Sequence, residues 1–338
     1  MTFDLNSFLL GLGCTLGLYV LHVTFRRLIF GVGPVFGQPR SHAPGKFANL
    51  SYGEVHYTIY GEGGRAELSG GRPLVVLVHG YCGSSMVWKV AGYLELLSGL
   101  GYDVLTFDNY GHGFSEGPDV TYSAELFSSQ LSELLSSLSI TGAFDLLGFS
   151  MGGSIVTLYA HRHPGRVKRL ILQAPSIARD PIFPRILLRF LGCLPFISEI
   201  AARLVIPHFG EGANTDNDAV VRAGYRLAKV MAEGSWVVGG RHQEDLLRDI
   251  ANYDREVLVL WGDKDKAVAF GGSKVVMGIL GERGRLVVGK GADHMTFSEL
   301  DTKVGEVFRR ELGEFLGPAG VGVGEIKVDV KNVKKTKT

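Results

Sequence analysis

Five short apolar runs constrain this chain more than any other feature: PLVVLVH at 73–79, DVLTFD at 103–108, FDLLGF at 144–149, LILQ at 170–173 and VLVLW at 257–261. They are continuous rather than alternating, as strands covered on both faces should be. Helical stretches lie between them, near residues 86–100, 122–138 and 151–163. Strands alternating with helices imply a mostly parallel central sheet with helices on both faces. Ahead of this pattern, residues 47–50 and 54–60 read as a hairpin turning at Tyr52-Gly53.

One core of this kind accommodates a chain of 338 residues, and 46% hydrophobic composition supplies the side chains to fill it. A formal net charge of +1 argues against a basic face for nucleic acid. The three cysteines, Cys14, Cys82 and Cys193, are too few and too far apart for a disulfide framework or a zinc site. No metal-ligand cluster or dinucleotide loop is apparent, so no cofactor is expected.

The N-terminus stands apart. Residues 5–25 carry no Asp, Glu, Lys or Arg, and Arg26 and Arg27 follow at once. A helix of that length would span a hydrocarbon core of ~30 Å. The expectation is an N-terminal hydrophobic helix that anchors the chain to a membrane, with the main body on the cytosolic side by the positive-inside rule. The domain plan is then an anchor (1–30), a Gly- and Pro-containing linker (31–45), a first core part (46–176), an insertion (177–250), a second core part (251–316) and a Gly- then Lys-rich tail (317–338). The insertion interrupts the strand–helix rhythm with helical patterns alone and reads as a helical lid over the sheet edge.

Gly148-Phe149-Ser150-Met151-Gly152 ends one expected strand and opens one expected helix. That context turns a G-x-S-x-G pattern into a nucleophile elbow, because the sharp turn needs small flanking residues and lifts the serine above the sheet. A serine hydroxyl needs a base, and His294, between the last strand and the last helix, is the candidate. An acid must orient that imidazole. Asp263 and Asp265 both follow a strand, both fall between Ser150 and His294, and both fit by order alone.

Together His79-Gly80-Tyr81, Asp108 to Ser115, the Ser150 elbow, Gly262-Asp-Lys-Asp265 and Asp293-His294 resemble the lipases and esterases of the α/β-hydrolase superfamily, from about residue 47 to 315. The resemblance implies the α/β-hydrolase fold and makes Ser150, Asp265 and His294 the catalytic residues. Asp265 is preferred because it lies three places after Gly262. It also implies an oxyanion hole formed by the backbone N–H groups of Tyr81 and Met151. His79 and the 108–115 loop are read as braces around the site. A serine at the elbow sets aside the aspartate-nucleophile enzymes of this fold.

The substrate reading is a lipid-like carboxylic ester, with membrane-anchored monoacylglycerol lipases as the nearest likeness. It draws on the expected anchor and on apolar residues of the insertion, among which Phe190 and Phe196 are expected to meet substrate. Two alternatives remain: a carbon–carbon bond hydrolase of keto acids using Arg185, Arg189 or Arg203, and a hydrolase-fold receptor with little turnover.

Overall fold

The computed structural model describes residues 43–61, 67–68, 71–81, 83–118, 120, 122–177, 242–253, 255–294 and 303–317. Eight strands form one sheet: β1 (Lys46–Leu50), β2 (Gly53–Tyr60), β3 (Leu74–Val78), β4 (Asp103–Phe107), β5 (Phe144–Phe149), β6 (Val167–Gln173), β7 (Val257–Gly262) and β8 (Gly284–Gly289). Their spatial order is β1-β2-β4-β3-β5-β6-β7-β8. β1 and β2 form an antiparallel hairpin, β2 runs antiparallel to β4, and all pairs from β4 to β8 are parallel.

The described helices are α1 (Met86–Val90), α2 (Tyr93–Gly99), α3 (Ala124–Ser137), α4 (Met151–Arg162), α5 (Gln243–Ala251), α6 (Gly271–Leu280) and α7 (Lys303–Leu316). The central strands earn their continuous apolar character: Val75 to Val78 of β3 and Val257 to Leu260 of β7 are fully buried. Each such side chain contributes about 1.5–3 kcal/mol on burial. α4 is buried from Met151 through Ala160, wedged between α3 and α5, which is why it reads as apolar nearly all round. α3 starts where Ser123 accepts a hydrogen bond from the Leu126 amide at 3.2 Å.

β3 lies between β4 and β5, so the chain leaves β3 toward one side of the sheet and β5 toward the other. A crevice opens at the carboxyl ends of strands that part in this way. The register pairs Val78 with Gly148. Two residues further on, Gly80 therefore stands level with Ser150.

Residues 178–241, including Phe190 and Phe196, lie outside the described residues, as does the segment 5–25. The span expected for the lid ends in α5, whose Leu246, Leu247 and Ile250 are buried against the core. The expected membrane anchor, and the localisation built on it, must be corrected. Among the described residues no helix is long and apolar enough to cross a membrane. The longest, α3 and α7, have 14 residues each. That corresponds to about 21 Å, short of the ~30 Å required, and their apolar faces are spent on packing the core.

Candidate active site

Ser150 follows β5 and caps α4 with φ 53° and ψ −116°. A non-glycine residue at positive φ is strained and persists only where its surroundings over-determine it. Here they do. The Ser150 amide donates to Gln173 O at 2.9 Å, and Ser150 O accepts from Gly153 N at 2.9 Å and Ser176 N at 3.0 Å. The small flanking residues are steric requirements. A methyl on Gly148 would meet Gly152 O at 2.4 Å, and one on Gly152 would meet Val78 O at 2.2 Å. Helix α4 thus starts against the ends of β3 and β5. Met151, its first residue, has no intrahelical acceptor for its N–H.

His294 and Asp265 come together from the ends of β8 and β7. His294 Nδ1 lies 2.7 Å from Asp265 Oδ2. Asp265 Oδ1 accepts from the amides of Ala267 at 2.9 Å and Val268 at 2.8 Å, so both carboxylate oxygens are engaged. The imidazole lies against Phe149, the residue before Ser150, with ring centroids 4.8 Å apart. Ser150, Asp265 and His294 are all nearly buried. A carboxylate at Nδ1 accepts from the ring, which leaves Nε2 as a lone-pair base.

Sequence order left Asp263 and Asp265 equal, and the structure separates their contacts. Asp263 Oδ1 accepts from Gly291 N at 2.7 Å and so braces the turn that carries His294. Gly80 borders the elbow: a methyl built on it would lie 3.0 Å from Ser150 Cβ.

A second buried histidine–carboxylate pair lies at the end of β4, and sequence reasoning did not single out its histidine. The β2–β4 register, Tyr57 opposite Phe107, sets His56 opposite Asp108. His56 Nδ1 is 2.8 Å from Asp108 Oδ2. His56 Nε2 meets Pro44 O. Asp108 also accepts from the Ser85 amide at 2.6 Å and the Phe114 amide at 2.8 Å, so it braces two loops, as expected. Nothing in the string EVHYTIY announces this pair, because only the antiparallel register creates it.

Both His56 nitrogens face acceptors, which suits the doubly protonated ring. Burial by itself would lower its pKa, but the hydrogen bond and charge of Asp108, helped by Pro44 O, hold it above the usual 6.5. Burial acts to raise the Asp108 pKa, and the hydrogen bond and charge of His56 bring it below its ordinary value. His112 is different: burial, then the neighbouring His79, push it down to about 3.

The His56 contribution to stability is complete below its unfolded pKa and is lost as pH rises through the raised native value. The Asp108 contribution is present above its unfolded pKa and is lost as pH falls through the depressed native value. Urea unfolding is expected to show the wild type losing more stability than His56→Gln as pH rises above about 6.5 and through the raised native value. Equal losses would show that the pair does not titrate as the geometry requires.

A family model described as the alpha/beta hydrolase fold matches residues 73–299. The chain belongs to that family. It is 32% identical over 151 residues to an uncharacterized protein of Mycobacterium tuberculosis, a match covering 44% of this chain and 42% of that protein. The chain thus spans less than half the length of that relative. It is 28% identical over 254 residues to the monoacylglycerol lipase of Mycolicibacterium smegmatis, covering 69% of this chain and 85% of that enzyme. Among solved structures, a hydrolase from Pseudomonas aeruginosa superposes with a TM-score of 0.65 at 22% identity, covering 81% of this chain and 98% of the other.

Proposed function

We propose that this protein is a serine hydrolase that cleaves carboxylic esters of lipid-like substrates, such as monoacylglycerols, through an acyl-enzyme. The observation that carries the reading is the 2.7 Å contact between His294 Nδ1 and Asp265 Oδ2 beside the strained Ser150 elbow. Ser150 Oγ attacks the acyl carbon while its proton passes to His294 Nε2. The carbonyl oxygen becomes an oxyanion held by the N–H groups of Tyr81 and Met151. The bond to the leaving alcohol then breaks, and His294 returns the proton to that alcohol. Water, deprotonated by His294, attacks the acyl-enzyme, and the acid and free Ser150 are released. The similarity to a monoacylglycerol lipase supports the lipid-like class. So do the apolar residues between 182 and 206, among them Phe190 and Phe196.

Purified protein should hydrolyse monoacylglycerols and medium-chain esters in preference to phospholipids and keto acids. Each buried methylene contributes up to ~0.8 kcal/mol, so lengthening the acyl chain from butyryl to octanoyl should raise kcat/KM by up to about two orders of magnitude below micelle formation. Phe190→Ala or Phe196→Ala should flatten that dependence more than it slows a short ester. A preference for short esters with no gain on lengthening would defeat the lipid reading. Turnover of keto acids alone would favour the carbon–carbon bond hydrolase, and no turnover at all a receptor.

A further inference from the structure

Phe149 holds the variable place of the Gly148-Phe149-Ser150-Met151-Gly152 elbow, and the hydrolysis described above leaves it without a task. It is the last residue of β5, and its side chain is buried. Two neighbours fix the ring. The chain at Gly80 passes so close that a methyl there would meet Phe149 Cδ1 at 3.0 Å and Cε1 at 3.2 Å. His294 lies against the same ring, with centroids 4.8 Å apart and planes inclined by 34°. At that separation and tilt the rings meet by their faces, because an edge-on contact sets the planes near a right angle. His294 is itself pinned through Nδ1, 2.7 Å from Asp265 Oδ2, so it cannot leave the Phe149 face without losing its carboxylate.

The face of a phenyl ring is negative and its edge positive. A cation within about 6 Å of the ring centroid is attracted to that face, most strongly where water is excluded. Both rings are buried, so solvent does not screen the contact. A neutral imidazole gains little from the face. Once His294 has taken the proton of Ser150, or of the attacking water, it is an imidazolium. We propose that Phe149 is a positioning residue that acts through His294: its face stabilises the imidazolium of the transition state more than the neutral ring of the ground state, and so lowers the barriers to acylation and deacylation alike. This rests on the serine-hydrolase reading. Asp265, from the end of β7, attracts the same charge in the plane of the imidazole, whereas Phe149 acts on its face. Asp263 is turned to Gly291 N. Lys290 and Asp293, in the loop that carries His294, are exposed, and water screens them. The elbow brings Phe149, Ser150 and Met151, none of them charged.

Fluorine separates the charge of the face from the shape of the ring. Replacing Phe149 by mono-, di- and trifluorophenylalanine drains the negative face stepwise and leaves the ring nearly the same size. With an octanoyl ester as substrate, kcat should fall at each step, to about tenfold below the wild type for the trifluoro ring, with KM changed by less than about twofold. The acid limb of the kcat/KM profile should move to lower pH in the same order, because a poorer face holds the protonated imidazole less well. Phe149→Leu keeps an apolar filling without a face, and its kcat should be no higher than that of the trifluoro ring. A kcat that stays level along the fluorine series, or an acid limb that stays or moves to higher pH, would reduce Phe149 to packing and overturn the inference, however slow Phe149→Leu is. Should the leucine variant not fold, the fluorinated proteins decide alone. A fluorophosphonate label on wild-type Ser150, absent from Ser150→Ala, is measured alongside. If the wild type takes no label and cleaves no ester, the function reading falls and this one with it. If the wild type is labelled and active and the fluorine series is level, only the role of Phe149 falls.

Discussion

Ser150→Ala is expected to abolish ester hydrolysis, lowering kcat by about a millionfold to the level that binding and oxyanion contacts alone sustain. The variant should fold as the wild type does. The hydroxyl is small, and alanine at φ 53° carries the same backbone strain as serine, so the turn neither gains nor loses relief. The three backbone hydrogen bonds that pin the turn, to Gln173, Gly153 and Ser176, do not involve the side chain. A fluorophosphonate probe should label the wild type and leave the alanine variant unmarked. Persistent labelling at another serine would move the nucleophile elsewhere.

Asp265→Asn should cost about four orders of magnitude in kcat, for a reason that can be traced atom by atom. Two backbone amides, those of Ala267 and Val268, point at one carboxylate oxygen. An asparagine must turn its oxygen to them, which leaves its NH2 facing His294 Nδ1. That nitrogen then has to accept, so the proton moves to Nε2 and meets Ser150 as a donor in place of a base. Geometry survives while the tautomer is wrong. Asp263→Asn should cost less than about tenfold, because it weakens one bond to Gly291 N and leaves the imidazole's partner in place. Steady-state kinetics on both variants, with thermal unfolding as a control for folding, would show it. The opposite ranking would transfer the orienting role to Asp263.

The strands that could be read directly are those whose environment is uniform. β3, β4, β5 and β7 are buried on both faces, and a continuous apolar run is the local signature of that condition. β8 is legible only as a last strand ahead of His294, without bounds, because it is an edge strand: only its last residue is buried, and Arg285 interrupts its apolar run. α6 opens on Gly271-Gly272, residues that argue against a helix, and is held by the burial of Val276 and Leu280. The expected anchor illustrates the converse. Absence of charge over residues 5–25 is a property of composition, whereas crossing a bilayer is a property of a helix, and no described helix has it.

The chain by itself determined what depends on near neighbours. The elbow is one case, because strand, tight turn and helix are consecutive, and the glycine at 148 is required by the approach of that helix to the strand just before it. The order of Ser150, the acid and His294 is another. Tertiary structure decided whatever depends on two segments meeting. Asp265 and Asp263 are two residues apart and of one type, and only the return of the β8 loop gives one His294 and the other Gly291. His56 became the partner of Asp108 through an antiparallel register 52 residues across. His79 Nε2 accepts from the Asn109 amide on the neighbouring strand's loop, which sets its tautomer. A side chain's proton is set by the donors and acceptors that surround it, and those arrive from distant parts of the sequence when the sheet is assembled.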